Sequence, residues 1–303
     1  MLVTGAAGFI GSHVARLLVS EGHHVTAILR PATDRWRLRG IEDRLSILEG
    51  DLRALDALAP SIRAARPDIC IHLAWQQLYG KASAEANISS LAAGLELMRL
   101  TSAAGCDRFV TAGTCFEYDL GHDPLAEATP LRPRDLYGAC KKALFDVGRE
   151  FSAPAGVNIV AARVFYTYGP YQDAGRLVPS IALSLLRGET ARLTPGQQIR
   201  DYMHVEDIAS AIWAVALSGR SGAVNIASGQ PVTIAELAQH IGALLGRPDL
   251  IQLGALAYPP NEPMRIVGDP SLLRCGVGWT PRFDLETGLA QTVAWWREST
   301  IRE

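Results

Sequence analysis

Short β-branched or apolar runs alternate with longer amphipathic stretches through the first 165 residues. The runs predict strands at 2–4, 25–29, 45–48, 69–73, 109–111 and 159–163, with helices between them at about 9–21, 54–65, 82–104 and 136–152. Strands separated by helices in this way form a doubly wound parallel sheet covered on both faces, an α/β architecture. Beyond Gly169-Pro170 the alternation weakens. Shorter elements follow, punctuated by Pro195-Gly196, Gly229-Gln230-Pro231, Pro259-Pro260 and Pro281. The expected division is a sheet domain over 1–165 and a smaller mixed α/β lobe over 166–303, interwoven with the first. No internal repeat or low-complexity tract interrupts the pattern.

At 303 residues and 48% hydrophobic content the chain can bury a core that needs no staples. The net charge of −2 and the pI near 6.4 come with 29 scattered basic residues, so no footprint for nucleic acid or an anionic membrane is expected. Small-molecule partners fit better. The five cysteines (Cys70, Cys106, Cys115, Cys140, Cys275) form no C-x-x-C, which suits reduced thiols. The seven histidines lack ligand spacing, so no metal site is expected. No apolar run is long enough to span a membrane, and Met1 leads directly into a strand, from which a cytoplasmic location is expected.

Leu2-Val3-Thr4-Gly5-Ala6-Ala7-Gly8-Phe9-Ile10-Gly11 runs from strand through glycine turn to helix. Glycine at these points permits a tight turn and close approach of backbone N–H groups to a pyrophosphate, whose charge the helix N-terminus favours. The spacing is G-x-x-G-x-x-G rather than G-x-G-x-x-G, and taken alone a glycine triplet is equally an ordinary turn before a helix. With a strand before it and a helix after it, the turn predicts a Rossmann dinucleotide site at Gly5, Gly8, Phe9, Ile10 and Gly11. The second strand ends Ala27-Ile28-Leu29-Arg30-Pro31, where NAD-specific units offer a carboxylate to the adenine ribose. Arg30 suits the 2′-phosphate of NADP instead, although a solvated arginine at a strand end has the same appearance. NADP(H) is therefore the favoured cofactor, with NAD(H) the alternative. Asp51 and Leu52, in Glu49-Gly50-Asp51-Leu52, stand where adenine contacts occur, or in a plain surface turn.

Leu136-Tyr137-Gly138-Ala139-Cys140-Lys141 places a phenol and an ammonium one helical turn apart on one face. A cation beside a phenol stabilises the phenolate and lowers its pKa toward working pH, where it acts as general acid or base. Asp135 is a plausible N-cap. An exposed Tyr and Lys on a surface helix fit the same spacing.

These residues, with the glycine turn and Arg200-Asp201-Tyr202, resemble the extended short-chain dehydrogenase/reductase family, in its nucleotide-sugar epimerase/dehydratase/reductase branch, over essentially the whole chain. The resemblance implies that Tyr137 exchanges the proton and that Lys141 holds the nicotinamide ribose. It aligns Thr114, in Phe109-Val110-Thr111-Ala112-Gly113-Thr114-Cys115, with the residue that hydrogen-bonds the reacting oxygen; a buried or capping threonine is the bland alternative. It puts Leu73 and Ala74, in Ile71-His72-Leu73-Ala74, and Val164 at the cofactor, and matches Asn87 to a helix Asn. Arg200, in Ile199-Arg200-Asp201-Tyr202-Met203-His204, aligns with an arginine that meets the substrate diphosphate, unless it pairs with Asp201 or Asp207. A nucleotide-sugar substrate is implied, and so is a homodimer through the helices near 82–104 and 136–152, where Ala92, Ala93 and Gly94 permit close approach.

Dehydratases of the branch carry Asp-Glu directly after the Thr, because eliminating water needs a second acid/base pair. Here Cys115-Phe116 follow, and Glu117 should point to the opposite face of the strand. Tyr166 replaces a substrate-binding Asn, and Pro259 stands where a second phosphate-binding Arg often lies, with Arg265 as its replacement. With Arg30, the pattern looks like 4-keto-6-deoxyhexose reductases such as the CDP-abequose and CDP-paratose synthases. A 4-epimerase is the alternative, and a non-catalytic NADP-binding sensor the third reading.

Overall fold

The structure, a computed structural model, describes residues 1–76 and 83–301. Its main sheet contains β1 (Leu2–Thr4), β2 (Val25–Leu29), β3 (Leu45–Glu49), β4 (Ile69–His72), β5 (Arg108–Thr114), β6 (Asn158–Val164) and a seventh strand, Gly222–Ile226. The order is Gly222–Ile226, β6, β5, β4, β1, β2, β3, every pair parallel. The chain winds outward from β1 to β3, then crosses to β4 on the other side of β1. Strand order thus reverses between β1 and β4, the point at which open parallel sheets bind ligands beyond their carboxyl ends.

Successive side chains of a strand face opposite ways, so a central strand needs cover on both sides. Val3 packs with α1 (Phe9–Ser20), whereas its neighbour Leu2 packs with α2 (Leu55–Ala65), α3 (Ala84–Ala103) and α4 (Leu136–Ala155). Residue 82, at the start of the predicted third helix, lies outside the described residues; α3 is capped by Ser83, whose hydroxyl accepts from the Ala86 N–H. Helix α4 runs past Pro154 and stops at Gly156, which takes a left-handed φ of 66°. Strand β5 outruns its predicted end, because Thr114 still pairs with Val164.

After α5 (Leu177–Leu186) the chain returns to the main sheet through α6 (Val205–Leu217), which lies against α1, and through Gly222–Ile226 beside β6. The rest builds on a strand Ile199–His204, paired with Tyr166–Tyr168, Pro231–Thr233 and Arg265–Ile266. A separate core joins α5 with α7 (Ile234–Leu245) and α8 (Leu285–Ile301) through Ile181, Leu237, Ile241 and Leu289. Among the described residues, no helix is long and apolar enough to cross a membrane.

Candidate functional site

Gly5 turns the chain out of β1 with a φ of 72°, and a Cβ on it would sit 2.8 Å from the Ala74 nitrogen. Only glycine fits this approach. Gly8 donates its N–H to the Gly5 carbonyl at 2.9 Å and caps α1, so the free N–H groups of the first helical turn, which begins at Phe9 and Ile10, face the switch point. Gly11 lies beneath, buried, where a Cβ would come within 2.0 Å of the Gly5 oxygen; it sets how closely α1 approaches β1. A cavity of about 320 Å³ opens over the turn, lined by Gly5, Gly8, Leu73 and Ala74 and, at its far end, by Leu29, Arg30, Asp51 and Leu52. Arg30 is exposed at the tip of β2. Hydrogen bonds from Arg53 hold the Asp51 carboxyl down to about 2, and the Arg30 charge adds to the effect. A glycine cradle that a Cβ would fill, a helix N-terminus and an arginine in place of a ribose carboxylate fit an NAD(P) dinucleotide.

Trp75 carries this cavity toward a second cluster. It lines the cavity, its indole N–H donates to the Asn87 side-chain oxygen at 3.0 Å, and its ring lies 4.0 Å from the Lys141 ammonium and edge-on to Tyr137 at 6.2 Å. Lys141 is buried and donates to the Ala112 carbonyl at 2.8 Å. Asp135 caps α4 by accepting the Gly138 N–H at 2.7 Å, which fixes the turn carrying Tyr137. Thr114, at the end of β5, lies close enough to the Tyr137 phenol to ease the cost of its ionisation. The three residues aligned with the acid/base group are therefore brought together beside the cavity, at the carboxyl end of the sheet.

The electrostatics correct one expectation. Burial pushes the Tyr137 phenol above its ordinary range, only partly offset by Thr114, so the phenol is held protonated rather than made acidic. Burial also brings the Lys141 ammonium down to about 7, against the opposing pull of the Glu117 carboxylate. His72, its Nδ1 2.8 Å from the Thr4 hydroxyl, is lowered to about 3 by burial and by the Lys141 charge, and is neutral.

Glu117 corrects another. The chain leaves the strand at Thr114 and makes a tight turn over Cys115–Glu117, so Glu117 is not on a strand. One of its oxygens accepts the Thr114 N–H at 2.8 Å and the other accepts from Arg163 Nε at 2.8 Å, both side chains being fully buried. Arg163 also donates to the Tyr118 hydroxyl at 3.0 Å. The carboxylate thus holds the backbone of Thr114 from below and does not reach the cavity. Thr114 both caps this turn and meets the phenol.

At the other end, Tyr166 meets Phe116 at 6.4 Å between ring centroids and carries the Arg200 guanidinium at 5.3 Å. Arg200 pairs with neither Asp201 nor Asp207, but with Glu262. Asp201 is taken by the N–H groups of Ser228, Gly229 and Gly268, and Asp207 by those of Arg282 and Phe283. Arg265 does not join Arg200. Its register partner is Ile199, so its side chain leaves the opposite face of the small sheet, where it pairs with Asp123 at 2.6 Å. Val164 is buried beside Thr114 and is not among the residues lining the cavity.

Trp75, Phe116 and Glu262 were not singled out in the sequence. Only Glu117 carried a signal that exposes its role: Thr114-Cys115-Phe116-Glu117 has the T-x-x-E spacing of a capping box.

A parallel sheet with a glycine cradle at its switch point and a Tyr–Lys pair beside it defines an NAD(P)-dependent short-chain dehydrogenase/reductase fold. Within that class, the chain belongs to the NAD-dependent epimerase/dehydratase family, a family of enzymes, whose profile matches residues 1–227. A dTDP-glucose 4,6-dehydratase of Streptomyces griseus is 29% identical over 98% of this chain and 94% of its own. The structure of a UDP-N-acetylglucosamine 4-epimerase from Methanobrevibacter ruminantium, in complex with UDP-N-acetylmuramic acid, superposes with a TM-score of 0.89 at 26% identity, covering 98% of both chains. A UDP-glucose 4-epimerase from Thermus thermophilus, solved with NAD, gives 0.86 at 27% identity, again over 98% of both chains.

Proposed function

We propose that this enzyme reduces the C4 ketone of a nucleotide-linked 4-keto-6-deoxyhexose with NADPH. The observation that carries the reading is the convergence of Thr114, Tyr137 and Lys141 beside the cavity over Gly5. When bound, a reduced nicotinamide supplies hydride to a carbonyl carbon. Thr114 and Tyr137 hydrogen-bond the carbonyl oxygen and fix its position. Tyr137 then gives its proton to that oxygen as negative charge develops there, a role for which a phenol kept protonated by burial is suited. Lys141, held between Ala112 and Trp75, stabilises the phenolate left behind and would bind the nicotinamide ribose. Gly5, Gly8 and the start of α1 would hold the pyrophosphate, and Arg30 the 2′-phosphate.

Cys115 and Phe116 supply no carboxyl pair for removing water, which speaks against a 4,6-dehydratase despite the similarity to such enzymes. The 4-epimerase is the second reading, supported by the epimerase structures that the chain resembles throughout its length. The same machinery would then work in both directions without net consumption of cofactor. We also propose a homodimer through α3 and α4, which leave Ile88 and Val147 about half exposed.

The test is turnover with NADPH and 4-keto-6-deoxy sugars carried on CDP, dTDP, GDP and UDP. Net NADPH oxidation is the expected result. Interconversion of epimers without net oxidation identifies the 4-epimerase, and binding without turnover removes the enzymatic reading.

A further inference from the structure

Arg200 is a buried cation whose charge is already neutralised. Its side chain is 3% exposed, and the guanidinium donates to the Ile199 carbonyl at 2.8 Å, rests against Tyr166 and pairs with Glu262. The two partners are not equally placed. Glu262 is 24% exposed and comes from the turn Pro259-Pro260-Asn261-Glu262, in which Asn261 takes a left-handed φ of 58° and the Glu262 N–H donates to the Pro259 carbonyl at 3.3 Å. The segment is tied on both sides. The Tyr258 hydroxyl accepts from the Gln197 N–H at 3.1 Å, and the Met264 carbonyl accepts from the Ile199 N–H at 2.8 Å. The carboxylate can therefore rotate into water from a fixed turn, whereas Arg200 is confined on every side.

We propose that Glu262 is a displaceable counter-anion: a diphosphate reaches Arg200 only by replacing the carboxylate, so Glu262 sets the affinity for the nucleotide end of the substrate. The inference rests on the proposed function, a nucleotide-linked substrate, and on the expected role of Arg200 as the arginine that meets its diphosphate. The rings of Tyr166 and Phe116, the latter two residues beyond Thr114, lie between Arg200 and the acid/base group, which puts the guanidinium two aromatic rings away from it. Arg265, the other candidate, leaves the far face of the sheet and is paired with Asp123. A ligand carrying two or more negative charges must then compete with one carboxylate for one guanidinium and tolerate the displaced charge nearby. Like charges a few ångströms apart in a partly desolvated site oppose binding appreciably. The consequence is a site that releases its nucleotide readily.

The test is calorimetric titration of the NADPH-saturated protein, with its cofactor cavity filled, using UDP, dTDP, CDP, GDP and inorganic pyrophosphate as probes. Glu262→Gln and Glu262→Ala should both tighten the best-bound nucleoside diphosphate and pyrophosphate by about tenfold at low salt, with the gain shrinking as salt is added. Arg200→Gln should weaken both probes. If the Glu262 variants bind with unchanged or weaker affinity while Arg200→Gln still weakens binding, the counter-anion proposal is overturned and the carboxylate is itself a ligand contact or a structural group. If Arg200→Gln changes nothing, or no probe binds wild type or variant, the nucleotide-sugar reading of this end falls first and the proposal falls with it.

Discussion

Lys141 is enclosed by the Ala112 carbonyl and the Trp75 ring, and that enclosure governs its charge. Burial lowers its ammonium from 10.5 to about 7, so the folded chain holds fewer protons than the unfolded chain between those values. Its contribution to stability is therefore fully present above the unfolded value and is lost as pH falls through about 7. Function runs the other way, because the charged form stabilises the phenolate. kcat/KM of the free enzyme should bend downward as pH rises through about 7, and a flat profile from mildly acidic to mildly alkaline pH contradicts the role given to the ammonium. Trp75→Leu keeps the site dry but removes a cation–π contact worth about 0.5–2 kcal/mol, which should move that bend to lower pH by about 0.4–1.5 units. Trp75→Phe, which keeps a ring, should move it less. Two of the three central residues were legible because Tyr137 and Lys141 share a helix face at a fixed spacing. Trp75 was not legible, since its contacts with Lys141 and Asn87 arise only when β4, α3 and α4 pack together.

Elements place these groups through their ends. Strand β5 ends at Thr114 because Glu117 takes its N–H, and α4 begins where Asp135 takes the N–H of Gly138. Asp135→Ala should lower stability by about 0.5–2 kcal/mol and weaken the grip on Tyr137, with Asp135→Asn keeping most of both. Equal thermal midpoints for Asp135→Ala and wild type would contradict this. The strands and helices of the first 165 residues followed from periodicity because a sheet buried on both faces leaves little choice of pattern. The substrate end did not, because its register is set by long-range pairing. Arg265 lies opposite Ile199 rather than Arg200, and that one-residue offset sends its side chain to the wrong face. Glu117 was misjudged because a continuing strand and a capping turn share the same residues until Arg163 is seen to draw the carboxylate inward.

At the scale of the whole molecule, the cofactor cavity and the acid/base group lie at the carboxyl edge of the main sheet, and Phe116 and Tyr166 connect them to Arg200 on the small sheet, as Trp75 connects the cavity to the acid/base group. On the outer side, α3 and α4 expose Ile88 and Val147, which a second copy of the chain would cover. Sedimentation should show a dimer that Ile88→Glu with Val147→Glu converts to a folded monomer; a monomeric wild type contradicts the assembly. The most direct measurement of the central claim is the single-turnover rate of NADPH oxidation by Tyr137→Phe on whichever keto sugar the wild type reduces, together with its affinity for NADPH. A fall of about 10²–10⁴ in rate with NADPH affinity unchanged is the expected result. A variant that keeps nearly the full rate would show that the proton comes from another group.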